Sequence, residues 1–232
     1  MKQKYNSEFK IIDTKNKAYT LGLIYSDGCI TWNERQSYQC KIKIKDLDVL
    51  EKIHKEFPFF CAPKITSSCY YIYCYSKELV SDLMEHGLVP SKSIKNVHLL
   101  KNPGILCYPG DFLRGVFDGD GNVYVSPANN KKLTIYCNCK SFIDYLCDIY
   151  TQHQIKYSLV HRIRTSNPLG IYELKVGSQP NVKKLVNLMK PINSIYMDRK
   201  WTSINNFVWK DLKAIKSAAT KARYKKQTGP TQ

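Results

Sequence analysis

Two stretches of this chain carry the same short pattern 93 positions apart, and any fold must account for both. Thr20-Leu21-Gly22-Leu23-Ile24-Tyr25-Ser26-Asp27-Gly28 and Leu113-Arg114-Gly115-Val116-Phe117-Asp118-Gly119-Asp120-Gly121 each read as an apolar helix stopped by an acid and a glycine. Small residues four apart, Gly22 with Ser26 and Gly115 with Gly119, share one helix face and allow two backbones to approach closely. Packed on each other, the helices would bring Asp27 and Asp120 to the same end. Two carboxylates a few Å apart repel unless a cation sits between them, so the pattern calls for a hard divalent ion, Mg²⁺ or a substitute such as Mn²⁺. The expected metal set is Asp27 and Asp120 with the residues just before them, Ser26 and Gly119. Such an ion activates water and stabilises the leaving oxygen of a phosphodiester. An isolated Asp-Gly is only a turn signal; a matched pair, each followed by an alternating strand, is a site.

The duplication extends beyond the helices. An offset of 93 carries Val49, Leu50, Ile53 and Phe57 onto Phe142, Ile143, Leu146 and Tyr150, the core positions of one amphipathic helix in each half. Past that helix a longer loop around residues 165 to 170 shifts the offset to about 105 by the last helix, placing Leu83 and Met84 onto Leu188 and Met189. Each half reads α-β-β-α-β-β-α, an α+β organisation with two repeats related by a pseudo-two-fold axis. The domain plan is residues 1–100, a Pro/Gly linker at 101–110, residues 111–207 and a basic tail from 208 to 232. Residues 1–16 read as a polar lead-in, and Asp46 as the N-cap of the helix that follows Tyr38 to Lys45.

Charge narrows the partner. Lys and Arg number 36 against 19 Asp and Glu, a net +17, which favours a polyanion. Hydrophobic residues make up 43% and aromatics 12%, enough for a packed core. No apolar run approaches the roughly 18 residues of a membrane span. Met1 to Tyr5 lacks the apolar region of a secretion signal, and the nine cysteines lack metal-ligand spacing. The expectation is an intracellular, reduced, free-standing protein that needs no protein partner. The histidines show no ligand spacing, and phosphate-loop and dinucleotide patterns are absent.

Thr20 to Gly28 and Leu113 to Gly121 resemble the two copies of the LAGLIDADG motif of homing endonucleases. The second copy follows the motif closely; the first departs at its first two positions and has Tyr25 where an aspartate is common. The essential acid, the eighth residue, is retained in both as Asp27 and Asp120. The resemblance implies saddle-shaped antiparallel sheets with the motif helices at their interface. It also implies a monomer that mimics a homodimer and cuts both strands of a long double-stranded DNA target across the minor groove. A pure nucleic-acid binder of this fold, an intron RNA maturase or a regulator, is the alternative. The family places a basic residue from each half near the scissile phosphates. Lys92 and Lys200, each following the last helix of its half, are the candidates, and Lys95 competes with Lys92 because the offset of 105 maps it onto Lys200.

Strand parity then selects the DNA surface. If the position two after each acid points outward, Cys29, Thr31 and Asn33 face DNA in the first half and Asn122, Tyr124 and Ser126 in the second. The alternating strands add Gln39, Lys41, Lys43, Lys45, Tyr71, Tyr73 and Tyr75, then Lys132, Thr134, Tyr136, Arg162, Arg164, Glu173 and Lys175. A ribbon bearing these residues suits the major groove.

Overall fold

A computed structural model describes residues 4–32, 38–90, 107–164 and 167–209, with residues 164 and 167–169 described by backbone alone. The first repeat runs α1 (Lys15–Asp27), β1 (Gly28–Trp32), β2 (Tyr38–Ile44), α2 (Leu47–Glu56), β3 (Lys64–Ile65), β4 (Tyr70–Cys74) and α3 (Lys77–Glu85). The second runs α4 (Pro109–Asp120), β5 (Gly121–Val125), β6 (Lys131–Cys137), α5 (Lys140–Gln152), β7 (Ser158–Arg164), β8 (Asn167–Val176) and α6 (Gln179–Met189). A further helix, α7 (Asp198–Asn205), follows; it is absent from the sequence reading.

Each repeat forms one antiparallel sheet, ordered β1-β2-β4-β3 in the first and β5-β6-β8-β7 in the second. The expected α+β architecture of two αββαββα repeats is therefore present. Along each strand the inward set is apolar: Ile30, Cys40, Ile42, Ile72 and Cys74 in one sheet, Leu133, Ile135, Leu174 and Val176 in the other. Helices cover that face, with Val49, Leu50 and Ile53 of α2 and Phe142, Ile143 and Leu146 of α5 buried as their spacing predicts.

The offset of 93 holds through β6, but the value of 105 at the last helix does not. Ile42 faces Ile72 while Ile135 faces Leu174, so β8 follows β4 by 102 positions. At that offset Val80 and Leu83, buried in α3, match Val182 and Leu185, buried in α6. Helical spacing alone admitted either register because Leu188 and Met189 are also apolar.

The N-terminal residues are not a lead-in. Tyr5, Phe9 and Ile12, at helical spacing among polar residues, are buried. Tyr5 stacks edge-on against Phe59 at 5.0 Å and Phe9 against Phe57 at 5.2 Å. The Tyr5 hydroxyl donates to Asp82, and His86 Nε2 lies 2.7 Å from the Phe9 carbonyl. Thr14 then caps α1 by accepting from the Lys17 N–H at 3.2 Å. Lys17 also bridges Asp13 at 2.7 Å. In the second half α4 begins at Pro109, inside the expected linker, because Pro fits the first helical turn and Gly110 lies against the backbone of Leu188.

Candidate catalytic helix pair and nucleic-acid interface

The helices α1 and α4 pack face to face through the glycines that their sequences share. A methyl group on Gly22 would stand 2.2 Å from the Phe112 carbonyl oxygen, and one on Gly115 would stand 2.0 Å from that of Tyr19. Only hydrogen fits at these two positions. One turn further, a methyl on Gly119 would meet Ser26 Oγ at 2.0 Å and Asp27 Oδ2 at 2.8 Å. The carboxylate of the first motif thus lies against the last turn of the second, one residue before Asp120. Asp27 is half-buried and Asp120 exposed, so the shared end opens to solvent. An open pocket of about 340 Å³ at Asp27 is bordered by Lys43, Lys45, Asp46, Cys69, Gly119 and Arg199.

Ser26, of the expected metal set, donates its hydroxyl to the Leu23 carbonyl at 3.0 Å. The Gly119 carbonyl accepts from Lys200 Nζ at 3.1 Å. Lys200 also donates to the carbonyls of Phe117 at 2.7 Å, Asp118 at 2.6 Å and Gly121 at 2.8 Å. Its ammonium therefore caps the C-terminal end of α4, where unpaired carbonyls and the helix dipole concentrate negative charge. Burial pushes the ammonium down to about 8, against the opposing pull of Asp118, Asp27 and Asp120.

Asp118, two residues before Asp120, anchors α7 beneath the same helix end. Oδ2 accepts from the Tyr19 hydroxyl and the Met197 N–H, each at 2.8 Å, and Oδ1 from Trp201 Nε1 at 3.2 Å. Burial outweighs these donors and the nearby cations Lys200 and Arg114, raising the carboxyl to about 6. Because this value lies above that of an unfolded aspartate, the group's contribution to stability is fully present below about pH 4. It is lost as pH rises through about 6, by roughly 3 kcal/mol in all. The Asp118→Asn variant lacks this titration. In urea unfolding at a series of pH values, wild type should lose stability relative to the variant between pH 4 and 7. A difference constant with pH would contradict this account.

Tyr25 fills the matching place in the first motif. Its hydroxyl donates to the His86 carbonyl at the end of α3, and its ring stacks on Phe142 at 4.9 Å. The residue two before each acid thus holds the closing segment of its own repeat, by a neutral phenol in one and a carboxylate in the other. Arg114, fully buried, adds to the second anchor: it donates to the carbonyls of Ile195 at 3.0 Å and Met189 at 2.9 Å, and pairs with Asp111 at 2.5 Å.

Ion pairs cross between the repeats at α7. Asp46 occupies the N-cap position of α2, but its carboxylate makes no cap bond and instead takes Arg199 bidentately at 2.8 and 3.0 Å. Lys52 bridges Asp48 at 3.1 Å and Asp198 at 2.6 Å, and Asp48 accepts from the Asp198 N–H at 3.0 Å. These bonds fix the segment that carries Lys200.

The outer faces of the sheets hold the residues selected by parity. In the first, Cys29 lies opposite Lys41 and Lys41 opposite Tyr73; Thr31 lies opposite Gln39, and Lys43 opposite Tyr71. Tyr71, Tyr73 and Tyr75 form a ladder with centroids 6.2 and 5.1 Å apart, and Lys41 sits 4.3 Å over the Tyr71 ring. Lys45 is exposed just beyond the end of β2, at the pocket. In the second sheet Asn122 lies opposite Thr134 and Thr134 opposite Lys175; Tyr124 lies opposite Lys132, and Tyr136 opposite Glu173. Ser126 closes the β5–β6 turn, its hydroxyl accepting from the Asn130 N–H at 3.0 Å. Two residues on this face are not exposed as an outward strand position suggests: Thr134 is buried, and Glu173 is shielded by Arg162 and Lys175.

Lys92, Lys95, Asn33 and the residues beyond 209 lie outside the described residues, as does the side chain of Arg164. Sequence reasoning gave no role to Asp118, Arg114 and Arg199, and read Asp46 only as an N-cap. Met197, Trp201 and Ile204, at helical spacing, were the available signal for α7.

Paired glycine-packed helices, each ending in an acid beneath its own antiparallel sheet, define a two-repeat protein of the LAGLIDADG class, and the chain belongs to that family. Residues 108–190 match the model of a LAGLIDADG-like domain, and residues 16–86 that of a WhiA LAGLIDADG-like domain. Among solved structures, I-DmoI in complex with DNA and Ca is similar with a TM-score of 0.58 at 14% identity, over 81% of this chain and 95% of that one. The homing endonuclease I-WcaI bound to its DNA recognition sequence aligns with a TM-score of 0.55 at 13% identity, over 82% and 90%. The meganuclease I-AabMI bound to uncleaved DNA gives 0.51 at 16%, over 78% and 85%. No curated protein matches the sequence. Among the described residues no helix is long and apolar enough to cross a membrane.

Proposed function

We propose that this protein is a site-specific, metal-dependent endonuclease that binds double-stranded DNA across its two sheets as a monomer and cuts both strands at the α1–α4 helix end. The observation that carries the reading is the meeting of the first motif's carboxylate with the last turn of the second, at an end open to solvent. The solved relatives named above are complexes with DNA, and one of them carries Ca.

The residues fit a divalent ion. Asp27 and Asp120 are hard oxygen donors at a solvent-open end, whereas Asp118 is committed to three hydrogen bonds. Asp27 and Asp120 would hold the ion with few protein ligands, as Mg²⁺ is usually held, since among the described residues no group of three His, Cys, Asp or Glu converges. Ser26 and Gly119 flank the same place. When bound, the ion supplies charge neutralisation and water activation. The chain does the rest. Lys200 keeps a positive charge beneath Asp27 and Asp120, and Arg199, Lys43 and Lys45 border the pocket where a phosphate would lie. Lys92 is the candidate for the corresponding cation of the first half; Lys95 loses its match to Lys200 once the offset is 102. The outward strand residues track the groove, with lysines on phosphates and polar side chains on base edges.

DNA binding without cleavage is the second reading, favoured by the first repeat's match to a different family model from the second. One experiment separates the two. Incubation with a randomised duplex library in Mg²⁺ should release a discrete set of cleaved sites, and Ca²⁺ should give binding to the same sites. Recovery of bound but never cut sequences in Mg²⁺ and Mn²⁺ would establish the binder.

A further inference from the structure

An acidic side chain on a surface offered to a polyanion requires an explanation, and Glu173 is one. It lies on the outer face of β8, opposite Tyr136 of β6 and Val160 of β7. Its side chain is only 10% exposed, and Arg162 Nε binds Oε1 at 2.7 Å while Lys175 Nζ binds Oε2. The bonds from Lys175 and Arg162 lower its pKa from the ordinary value, favouring the charged form. Arg162 is not shielded in return: 51% of its side chain is open to solvent.

The bond through Nε is what matters for recognition. It holds the Nε side of the guanidinium against the carboxylate, and with half of the side chain open to solvent the Nη donors are the ones an outside acceptor would meet. The backbone supports the same placement. The β7–β8 register breaks between Arg162 and Arg164, and Gly170 beside it adopts φ +73°, where an added methyl would stand 2.3 Å from His161 Nε2 and 2.9 Å from the Arg162 carbonyl. Bulges of this kind re-aim a side chain at the edge of a sheet.

Resting on the DNA-binding reading above, the geometry points to Arg162 as a specificity-determining residue that reads a guanine in the major groove, with Glu173 as its positioning residue. The two Nη donors of a guanidinium match the O6 and N7 acceptors of guanine, which no other base pair displays in that arrangement. A phosphate could take the same fork but would carry no base preference, which is what the test reads. In the sheet order β7 is the outer strand, farthest from β5 and the motif helix, so the base read lies toward the outer end of the half-site bound by the second repeat.

The test is selection of bound duplexes from a randomised library in Ca²⁺ by the full chain and its Arg162→Lys, Arg162→Gln and Glu173→Gln variants. The two Arg162 variants should melt as wild type does, since β7 is an edge strand; Glu173→Gln, on the interior strand β8, keeps the shape of its side chain, and its melting curve is recorded with its binding profile. Wild type should enrich guanine at one outer position. Arg162→Lys, which keeps the charge but not the fork, should lose that preference by roughly 10- to 100-fold while other positions are unaffected. Glu173→Gln should weaken the same position and no other. If Arg162→Gln instead lowers affinity evenly at all positions and reduces the salt slope by about one, Arg162 is a phosphate contact and the assignment falls. An unchanged profile for Arg162→Lys overturns it as well. A wild-type protein that binds no duplex overturns the DNA-binding reading itself, and this assignment with it.

Discussion

Replacing Asp120 by asparagine should abolish duplex cleavage, by roughly three orders of magnitude or more, while affinity for the same duplex stays within a few-fold of wild type. The two quantities separate because their residues do. Asp120 lies at the end of α4, exposed, whereas the outward strand positions that would carry affinity belong to the sheets beyond it. Asparagine keeps the shape of the side chain and removes the charge a divalent ion requires. Asp27→Asn should behave alike, and combining the two should add little, since each alone dismantles a shared site. Asp118→Asn distinguishes the two acids of the second motif: its carboxylate faces inward to Tyr19, Met197 and Trp201, so that variant should be altered first in stability. Gel-shift titration in Ca²⁺ alongside timed cleavage in Mg²⁺ reads both quantities. Full metal-dependent cutting by Asp120→Asn would remove the basis of the assignment.

Placing alanine at Gly115 should cost about 3 kcal/mol or more, among the largest stability losses available from a single methyl group in this chain. The new carbon would stand 2.0 Å from the Tyr19 carbonyl oxygen and 2.8 Å from the Leu23 nitrogen. Both are backbone atoms inside a helix, so no rotamer change relieves the contact; α1 and α4 must separate and loosen the packing of Tyr19, Leu23, Phe112 and Val116. Gly22→Ala meets the Phe112 carbonyl in the same way and should cost a similar amount. Gly177→Ala is the control, since its methyl would meet only Lys132 at 3.7 Å. Urea unfolding midpoints rank the three. A loss below about 1 kcal/mol at Gly115 would mean that the helix pair is not the tight contact described.

Much of this was legible in the sequence because repetition and periodicity report burial directly. The small residues four apart located the helix contact, and the alternation in Tyr38 to Lys45 fixed which side of β2 faces outward. What escaped lay where local pattern underdetermines partners. Asp46 occupies an N-cap position and looks like a cap, yet its carboxylate binds a residue 153 positions away, which no local signal discloses. Asp118 was hidden by its neighbour Asp120: only the packing of α7 shows that one acid points inward and the other out. Tyr5 and Phe9 were masked by the lysines around them. The register of the last helix failed because two pairs of apolar residues fit a helical face equally well, and only strand pairing decided between them.

The ion pairs at α7 bear on how the two halves can be handled as parts. A chain built from two similar repeats invites exchange, in which one half is joined to a half from elsewhere to combine their targets. Here the lysine at the end of the second motif helix is delivered by a segment that Asp46, Asp48 and Lys52 of the first half hold in place. A graft made at the linker would leave Arg199 and Asp198 without partners unless those three residues travelled with them. The halves resemble one another in shape, but their dependence runs from the second to the first.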